Sequence, residues 1–248
     1  MAAARLSTQQ QALLAEMDID VWRLRAAQNQ LVPAAAVSVE SAERDQFAGS
    51  SPASAPVEHA VAEAFLSLNK EILTCTRCKL HQSRVQPVCG AGDLQADIFV
   101  VGEAPGTDED RTGEPFVGQA GQLLNEMLRA LGLERNVVFI ANVIKCRPPE
   151  DRKPAAAEAA QCLPFLARQI DMVRPRIILS LGGTAANNLL NVDSPVGKLR
   201  GQVHQYGEHQ IPVIVTYHPA YLLRKPSEKA SSWADLRLAM SVLAEAVE

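Results

Sequence analysis

The sequence predicts an α/β protein with a four-stranded parallel sheet that is covered by helices on both faces. Four short runs rich in Val and Ile recur at 97–102, 137–143, 176–181 and 211–217. None of these runs alternates strictly between apolar and polar residues, as is typical of strands buried on both faces. Helical patterns separate the runs, and this alternation of strand and helix indicates parallel strand pairing.

The helical patterns follow the four runs in order. AGQLLNEMLRALG (120–132) comes after the first run, AAAEAAQCLPFLARQIDMV (155–173) after the second, and TAANNLL (184–190) after the third. A last pattern, WADLRLAMSVLAEAV (233–247), comes after the fourth run. We therefore expect helices between successive strands and a final helix packed on the same sheet.

The first 60 residues differ in composition from the rest of the chain. Residues 9–27 contain a short amphipathic stretch with Trp22, and residues 28–60 are rich in Ala, Ser, Pro, Val and Glu. Because large apolar side chains are scarce there, residues 28–60 have the composition of a flexible linker. We expect an N-terminal extension over residues 1–60 and one folded domain over residues 61–248.

The overall composition excludes several classes of protein. The chain has 248 residues, 47% of them hydrophobic, and a formal net charge of −4, which by itself does not indicate a nucleic-acid partner. No run approaches the roughly 18 apolar residues of a membrane span, and the start does not have the pattern of a signal peptide. We expect a cytosolic protein, in which the five cysteines are ligands or reactive thiols rather than a disulfide framework.

Ligands of parallel sheets bind outside the carboxyl ends of the strands, so the loops after the four runs are the candidate site. After the first run, the turn GEAPG (102–106) lets a ligand approach the backbone closely, although a strand-end turn with a solvated Glu103 has the same pattern. The charged stretch 107–116 ends at Phe116. We interpret the stretch as a solvated loop, with Phe116 either a core residue or a stacking surface for a planar ligand.

Asn142 and His218 stand at the ends of the second and fourth runs. The amide of Asn142 either caps the strand end or reads a pyrimidine edge, where a carbonyl lies beside an N–H. His218 precedes a proline and is either structural or catalytic.

The cysteines form a second candidate site. Cys75 and Cys78 make a Cys-x-x-Cys pair, Cys146 lies in a strand-end loop, and Cys162 lies on the following helical segment. Four thiolates hold either zinc or an iron–sulfur cluster, and one pair with two scattered cysteines favours a cluster. The alternative interpretation is a set of unrelated buried thiols.

Basic residues gather in the same strand-end loops and favour a phosphate-bearing partner over ordinary surface charge. They are Lys145, Arg147, Arg152, Lys153, Lys198, Arg200, Arg224, Lys225 and Lys229. GKLRG (197–201) is typical of a loop that contacts a phosphate backbone.

Several linked motifs resemble the family 4 uracil-DNA glycosylases, the iron–sulfur branch of the uracil-DNA glycosylase superfamily. They are GEAPG, GEPFVGQAGQLLN, NVIKCRPPEDRKP and HPAYLLR, together with the cysteine set Cys75, Cys78, Cys146 and Cys162. The resemblance spans residues 66–240, and GEAPG separates the sequence from family 5. It implies a three-layer α/β/α sandwich and hydrolysis of the N-glycosidic bond of deoxyuridine in DNA.

The resemblance also implies roles for individual residues. Glu103, Ala104 and Pro105 would line the uracil pocket, Phe116 would stack on the base, Asn142 would read its edge, and His218 would stabilise the departing uracil. His218 and Glu103 are the candidate catalytic residues, although Glu109 and Asp110 are nearby carboxylates as well. The four cysteines of the set would hold a [4Fe–4S] cluster, with Cys89 outside it. From the basic strand-end loops, rather than from the resemblance, we expect weak phosphate contacts by Lys145, Arg147, Lys198, Arg200 and Arg224.

The resemblance leads to further expectations about partners and place. We expect uracil-containing DNA as the substrate, a monomer, and a bacterial cytoplasmic enzyme at the nucleoid. LLAEMDIDVWRLR, within residues 9–27, resembles the N-terminal peptide of a small clamp-loader subunit and is a candidate docking peptide for a replication or repair protein. The rival hypotheses are a non-catalytic DNA-binding iron–sulfur protein and a zinc-bound nucleotide-binding module.

Overall fold

A computed structural model describes residues 55–245 of the chain, with side chains described from residue 59 onward. The predicted docking peptide at 9–27 and most of the predicted linker lie outside the described residues, and the predictions about them stay untested. Within the described part, none of the helices combines the length and the apolar character needed to cross a bilayer.

One six-stranded sheet forms the centre of the structure, in the order β1-β3-β2-β4-β6-β5. Its strands are β1 (Ala91–Gly92), β2 (Ile98–Gly102), β3 (Phe139–Asn142), β4 (Ile177–Leu181), β5 (Val203–Tyr206) and β6 (Ile211–Thr216). Strands β3, β2, β4 and β6 pair in parallel, whereas β1 and β5 pair antiparallel at the two edges. The predicted four-stranded parallel sheet is confirmed, and the two edge strands are additional to it.

Eight α-helices are described around the sheet. They are α1 (Ala55–Leu73), α2 (Thr107–Thr112), α3 (Gln119–Ala130), α4 (Ala156–Val173), α5 (Gly183–Leu190), α6 (Val196–Leu199), α7 (Pro219–Arg224) and α8 (Lys229–Glu245). Short 3₁₀ turns occur at Lys79–Gln82, Arg135–Val137, Pro149–Asp151 and Pro226–Glu228. Helices α3, α4, α5 and α8 correspond to the four predicted helical patterns.

The parallel strands are buried on both faces, as their composition predicts. In β2 the side chains alternate, so that Phe99 and Val101 enter one core while Ile98 and Val100 enter the other. The first core is completed by apolar side chains of α1, α4 and α5, and the second by those of α3 and α8. The result is the expected three-layer α/β/α sandwich.

Helix α1 begins before residue 61, the predicted start of the folded domain. It begins at Ala55 and carries Leu68 and Ile72, both fully buried, into the first core. Its first described side chains, His59 and Ala60, are exposed. The first residues of the helix, APVEHA, contain few large apolar side chains, and their composition therefore resembles that of a linker.

The ends of the parallel strands are level with one another, which places their loops at one edge of the sheet. Gly102 at the end of β2 pairs in register with Asn142 at the end of β3, and Leu181 at the end of β4 pairs with Thr216 at the end of β6. The loops that follow β2, β3 and β6 therefore meet, as the rule for parallel sheets predicts.

Candidate active site

A cleft of about 410 Å³ opens at this edge of the sheet. All six residues that the resemblance assigns to the uracil pocket line the cleft: Glu103, Ala104, Pro105, Phe116, Asn142 and His218. Their roles stay predictions, but the structure brings the six side chains from three loops into one place. Residues outside that set also line the cleft, among them Gly106, Glu109, Lys153, Tyr221 and Arg224.

Phe116 forms one wall of the cleft and is held in an unusual backbone conformation. Its φ is 53°, in the left-handed region that non-glycine residues rarely adopt, and its side chain is only 6% exposed. The ring centroid lies 5.6 Å from that of His218, with 30° between the ring planes. A backbone strained at a binding site needs support from its surroundings.

Arg135 supplies part of this support. Its guanidinium donates to the carbonyl oxygens of Phe116, at 3.2 Å, and of Pro115, and to Asn125 Oδ1. Gly121 is needed beneath the same loop, because a side chain there would overlap the Phe116 carbonyl group. Sequence reasoning did not identify Arg135, since nothing in its local sequence points to the loop that it contacts.

Helix α2 corrects the interpretation of residues 107–112 as a solvated loop. The Glu109 carboxylate accepts hydrogen bonds from the backbone N–H groups of Gly106, Val117 and Gly118 at 2.9 to 3.0 Å. Glu109 follows Gly106 by three residues, which is the spacing of a capping box and was a usable signal for this helix. Glu109 therefore joins the two ends of the loop that carries Phe116.

The three candidate carboxylates from the sequence, Glu103, Glu109 and Asp110, have different surroundings. Asp110 is 4% exposed, and both of its oxygens accept from the Val85 N–H at 3.0 and 3.1 Å. Glu109 is occupied by three backbone groups, as described above. The half-buried Glu103 makes no side-chain hydrogen bond within residues 59–245, which leaves it as the carboxylate available to a ligand or to water.

Asn142 presents an unpaired polar atom to the cleft. Its side chain is 1% exposed, and its Oδ1 has no hydrogen-bond partner among the described residues. Asn69 Oδ1 and Ser180 Oγ are also buried without a partner, but neither residue lines the cleft. Gly102 allows this arrangement, because a side chain there would overlap both Asn142 Oδ1 and the Phe116 ring. Oδ1 does not cap the strand end, because it accepts no hydrogen bond from a backbone N–H group.

His218 stands where β6 passes into α7. Its Nδ1 accepts a hydrogen bond from the Ala220 N–H at 3.2 Å, so the neutral ring carries its proton on Nε2. Burial lowers the pKa of His218 to about 4, with a further lowering by Arg224 and an opposing effect of Glu109. The ring is therefore a neutral hydrogen-bond donor at physiological pH.

Two of the five basic residues assigned to DNA phosphates are not available for that role. Lys145 is 1% exposed, and its Nζ donates to the Asn142 carbonyl oxygen at 2.8 Å and to Gln169 Oε1 at 2.6 Å. Arg200 pairs with the fully buried Asp235 at 2.9 and 3.0 Å. Both assignments were wrong because the side chains turn into the protein rather than toward the solvent.

The other three basic residues of that set are closer to solvent. Arg147 forms an ion pair with Asp151 at 2.7 Å, which limits its use for phosphates. Lys198 and Arg224 are exposed, and neither side chain makes a hydrogen bond or an ion pair within the described residues. Lys153 is likewise exposed and lines the cleft together with Arg224. Lys153 and Arg224 thus place positive charge at the cleft, and neither side chain has a hydrogen-bond or ion-pair partner among the described residues.

The cysteine set forms a separate pocket. Cys75, Cys78, Cys146 and Cys162 line it together, whereas Cys89 does not. Arg84 Nη1 lies 2.9 Å from Cys146 Sγ, and the Lys145 N–H lies 3.3 Å from Cys162 Sγ. Burial raises the pKa of Cys162 to about 11 and also raises that of Cys146, so both are neutral thiols unless a cation is bound.

The pocket joins three separate segments of the chain. Cys75 and Cys78 follow α1, Cys146 follows β3, and Cys162 lies on α4. In residues 59–245, no three or more His, Cys, Asp or Glu side chains are arranged so that they could hold a metal ion. The donor set nevertheless has the chemistry of a cluster site, because it is four thiols around one buried space.

The class of this fold and site is identified by comparison with known proteins. The family model of the uracil DNA glycosylase superfamily matches residues 89–237. A type-4 uracil-DNA glycosylase of Archaeoglobus fulgidus is 41% identical over 71% of this chain and 91% of its own length. One from Thermotoga maritima is 43% identical over 65% of this chain and 84% of its own length.

A type-5 uracil-DNA glycosylase of Pyrobaculum aerophilum is less similar, with 32% identity over 55% of this chain and 67% of its own length. This chain belongs to the type-4 uracil-DNA glycosylase family. The resemblance stated from the motifs is thereby confirmed.

Proposed function

We propose that this protein is a uracil-DNA glycosylase, which extrudes deoxyuridine from DNA and hydrolyses its N-glycosidic bond. The products are free uracil and an abasic site, the substrate of base excision repair. The observation that carries the proposal is the unpaired Oδ1 of Asn142, buried in a cleft between an aromatic wall and a neutral histidine. The similarity to type-4 uracil-DNA glycosylases supports the same reaction.

Binding begins with the removal of a base from the stack. Extrusion costs a few kcal/mol, and stacking on the Phe116 ring could return about 1–3 kcal/mol of that. Because the Phe116 loop is held by Glu109 and Arg135 before any base arrives, this stacking surface needs no further ordering.

Recognition depends on the amide of Asn142. Its oxygen accepts the N3–H of uracil, and its NH₂ group donates to the neighbouring carbonyl oxygen. Cytosine presents an amino group where uracil presents that carbonyl, so that polar groups stay unpaired. An unpaired buried polar group costs about 1–3 kcal/mol, which is the basis of discrimination against cytosine.

Bond cleavage places negative charge on the leaving uracil. The Nε2–H of neutral His218 donates to a uracil carbonyl oxygen, and this hydrogen bond strengthens as the charge develops. Ala104 carries no carboxylate, and Glu109 and Asp110 are occupied by backbone groups. Glu103 therefore orients water toward the sugar, in a largely dissociative reaction that needs little base catalysis.

The exposed cations beside the cleft hold the DNA strand. Arg224 and Lys153 line the cleft, and Lys198 lies on α6 in the GKLRG loop. Their charges interact with phosphates and fix the position of the strand without reading its sequence.

Cys75, Cys78, Cys146 and Cys162 would hold a [4Fe–4S] cluster in the pocket that they line. Such a cluster, when bound, cross-links three segments of the chain through iron–thiolate bonds. Arg84 and the Lys145 N–H would donate to two of these thiolates. We further propose a monomeric enzyme at the bacterial nucleoid, with residues 9–27 as the docking peptide for a replication or repair protein.

The reaction is tested with an oligonucleotide that contains a single uracil. The purified protein should release uracil, and alkaline treatment should then cleave the strand at that position. A matched strand with cytosine at the same position is the control and should stay intact. If protein with its full iron content leaves the uracil strand uncut, the proposed function is wrong. Iron without zinc in the same preparation supports the cluster, and zinc without iron contradicts it.

A further inference from the structure

Lys145 is a fully buried lysine whose side chain and backbone both have polar partners. Its Nζ donates to the Asn142 carbonyl oxygen and to Gln169 Oε1. Its backbone N–H donates to Cys162 Sγ at 3.3 Å, and its carbonyl oxygen accepts from the Val88 N–H at 2.7 Å. A buried ammonium group destabilises the folded protein unless it is well paired. Lys145 therefore has a role that an apolar side chain at this position would not fulfil.

These contacts connect the two candidate sites. Lys145 follows β3 by three residues, and both Lys145 and the next residue, Cys146, line the cysteine pocket. The Lys145 side chain reaches back to the last residue of β3, the base-reading Asn142. Gln169 on α4 accepts from Nζ and donates to the Cys89 carbonyl oxygen at 2.5 Å. One residue thus contacts the recognition strand, a cysteine of the set and the helix that carries it.

Asn142 needs such support because its own side chain provides none. Its Oδ1 is unpaired, so the direction of the amide is determined by the backbone that carries it and by Gly102 and Phe116 beside it. Strand pairing holds that backbone on one side, where the Val143 N–H donates to the Gly102 carbonyl oxygen at 2.9 Å. The Lys145 ammonium holds the Asn142 carbonyl itself.

We propose that Lys145 is a positioning residue, which aligns the amide of Asn142 with uracil and ties that alignment to the cysteine pocket. This inference rests on the proposed function, because it concerns the residue that would read the base. It replaces the earlier assignment of Lys145 to a DNA phosphate. It also gives Gln169 a function, as the partner that keeps the Lys145 ammonium in place.

A double-mutant cycle separates positioning from a general structural role. Lys145→Met keeps an unbranched side chain of similar length but removes the donor. Alone, it should lower the single-turnover rate of uracil excision by about 10-fold, the effect of losing a hydrogen bond to a charged group. In protein that already carries Asn142→Ala, the same change should lower the rate less than about 2-fold, because the residue on which it acts is gone.

Two measurements besides activity accompany the cycle. Iron content per chain should be unchanged in Lys145→Met. The affinity for free uracil, measured by calorimetry, should fall in Lys145→Met and should not fall further when the change is added to Asn142→Ala. Equal losses of rate in both backgrounds overturn the proposal, and so does a loss of rate that merely follows a loss of iron.

Gln169→Leu keeps the proposal testable if Lys145→Met does not fold or does not bind iron. Its side chain lines neither the cleft nor the cysteine pocket, and it should lower excision by about 3-fold in an Asn142-dependent way. Arg168 precedes Gln169 and pairs with Glu71 at the surface. Arg168→Ala is therefore the matched control and should leave the rate of excision unchanged. Unchanged excision by Gln169→Leu overturns the proposal. An inactive wild-type protein would instead contradict the proposed function.

Discussion

Two buried polar groups lie near the same edge of the sheet, and they differ in how they are paired. The carboxylate of Asp235 is fully buried and accepts hydrogen bonds from Arg200 Nε, Arg200 Nη2 and Thr216 Oγ1 at 2.9 to 3.0 Å. Ser232 completes this group through Thr216, at 2.7 Å. Asn142 is equally buried, yet its Oδ1 has no partner in the described part of the chain.

The difference separates a polar network that the protein completes from a buried group that still offers a hydrogen-bond acceptor. A buried polar atom without a partner costs about 1–3 kcal/mol, a cost that a ligand or water donating to Asn142 Oδ1 would remove. Asp235 incurs no such cost, because the protein supplies every partner. Residue type and position near a strand end therefore do not distinguish the two groups. Missing pairing together with a place in the cleft does distinguish them, since Asn69 Oδ1 and Ser180 Oγ are also unpaired but do not line the cleft.

The largest effect should come from breaking the paired network. Asp235→Ala leaves the partly buried Arg200 guanidinium without its carboxylate, and we expect a loss of about 3 kcal/mol in the free energy of unfolding. For a domain of this size the thermal midpoint should fall by about 6–12 °C. Glu126→Ala, which removes an exposed partner of Arg129, is the control and should leave the midpoint nearly unchanged. A shift no larger than the control's would mean that the network is not structural.

Changing the unpaired group should affect the reaction instead of stability. Asn142→Asp is nearly isosteric, but its negative charge opposes the charge that develops on uracil. The single-turnover rate of excision should fall by about 100-fold or more, while iron content and the thermal midpoint stay close to the wild-type values. If excision is unchanged, Asn142 does not read the base, and the contrast with Asp235 loses its functional meaning.

The pH dependence of stability tests whether His218 is neutral in the folded protein. Its pKa is about 4 in the folded state, below the ordinary value of 6.5 that applies when the chain is unfolded. The unfolded state therefore binds more protons between these values, and this contribution to stability is lost as the pH falls from about 6.5 toward 4. Between about pH 7.5 and about pH 5, the loss should be about 2 kcal/mol.

The comparison for that measurement is His218→Gln, which cannot titrate. Unfolding of the two proteins at both pH values should show the wild type losing about 2 kcal/mol more than the variant on acidification. Parallel losses in the two proteins would show that His218 is not held neutral by its surroundings.

The smallest effect should come from the unpaired cations. Arg224→Ala should weaken binding to a uracil-containing strand by a few-fold at about 0.1 M salt. It should also make the slope of log affinity against log salt concentration shallower by about one, because one cation is removed. Arg168→Ala removes an arginine that is paired with Glu71 and does not line the cleft, and it should change neither quantity. Equal effects of the two changes would indicate a non-specific loss of positive charge.

The parallel core of the sheet was predictable because strands buried on both faces leave continuous apolar runs in the sequence. The edge strands left no such signal: β1 has only two residues, and β5 is the largely polar VHQY. Helix α1 was recognised only in part, since the predicted domain began after the first residues of that helix. Edges and first turns contribute little burial, and hydrophobic patterns report burial.

The positions of the cleft residues were predictable from the strand ends and the motifs, but the directions of several side chains were not. Lys145 and Arg147 are neighbours in one loop, yet the first is fully buried and the second is partly exposed. The direction of a side chain depends on how its loop turns and on its partners. Lys145 pairs with Gln169, and Arg200 of another loop pairs with Asp235, both of which are distant in sequence. A single sequence does not show such pairings.

The loop that carries Phe116 is held in place by hydrogen bonds, and this affects the time available for capturing a base. A base leaves a duplex by thermal opening and tends to return to its stack soon afterwards. If the stacking surface of the protein had to form during that interval, its formation would compete with the return of the base to the stack. Here the ring, its left-handed backbone and the carbonyl groups held by Arg135 are in place beforehand. Capture of an extruded base on this surface then requires no prior ordering of the loop.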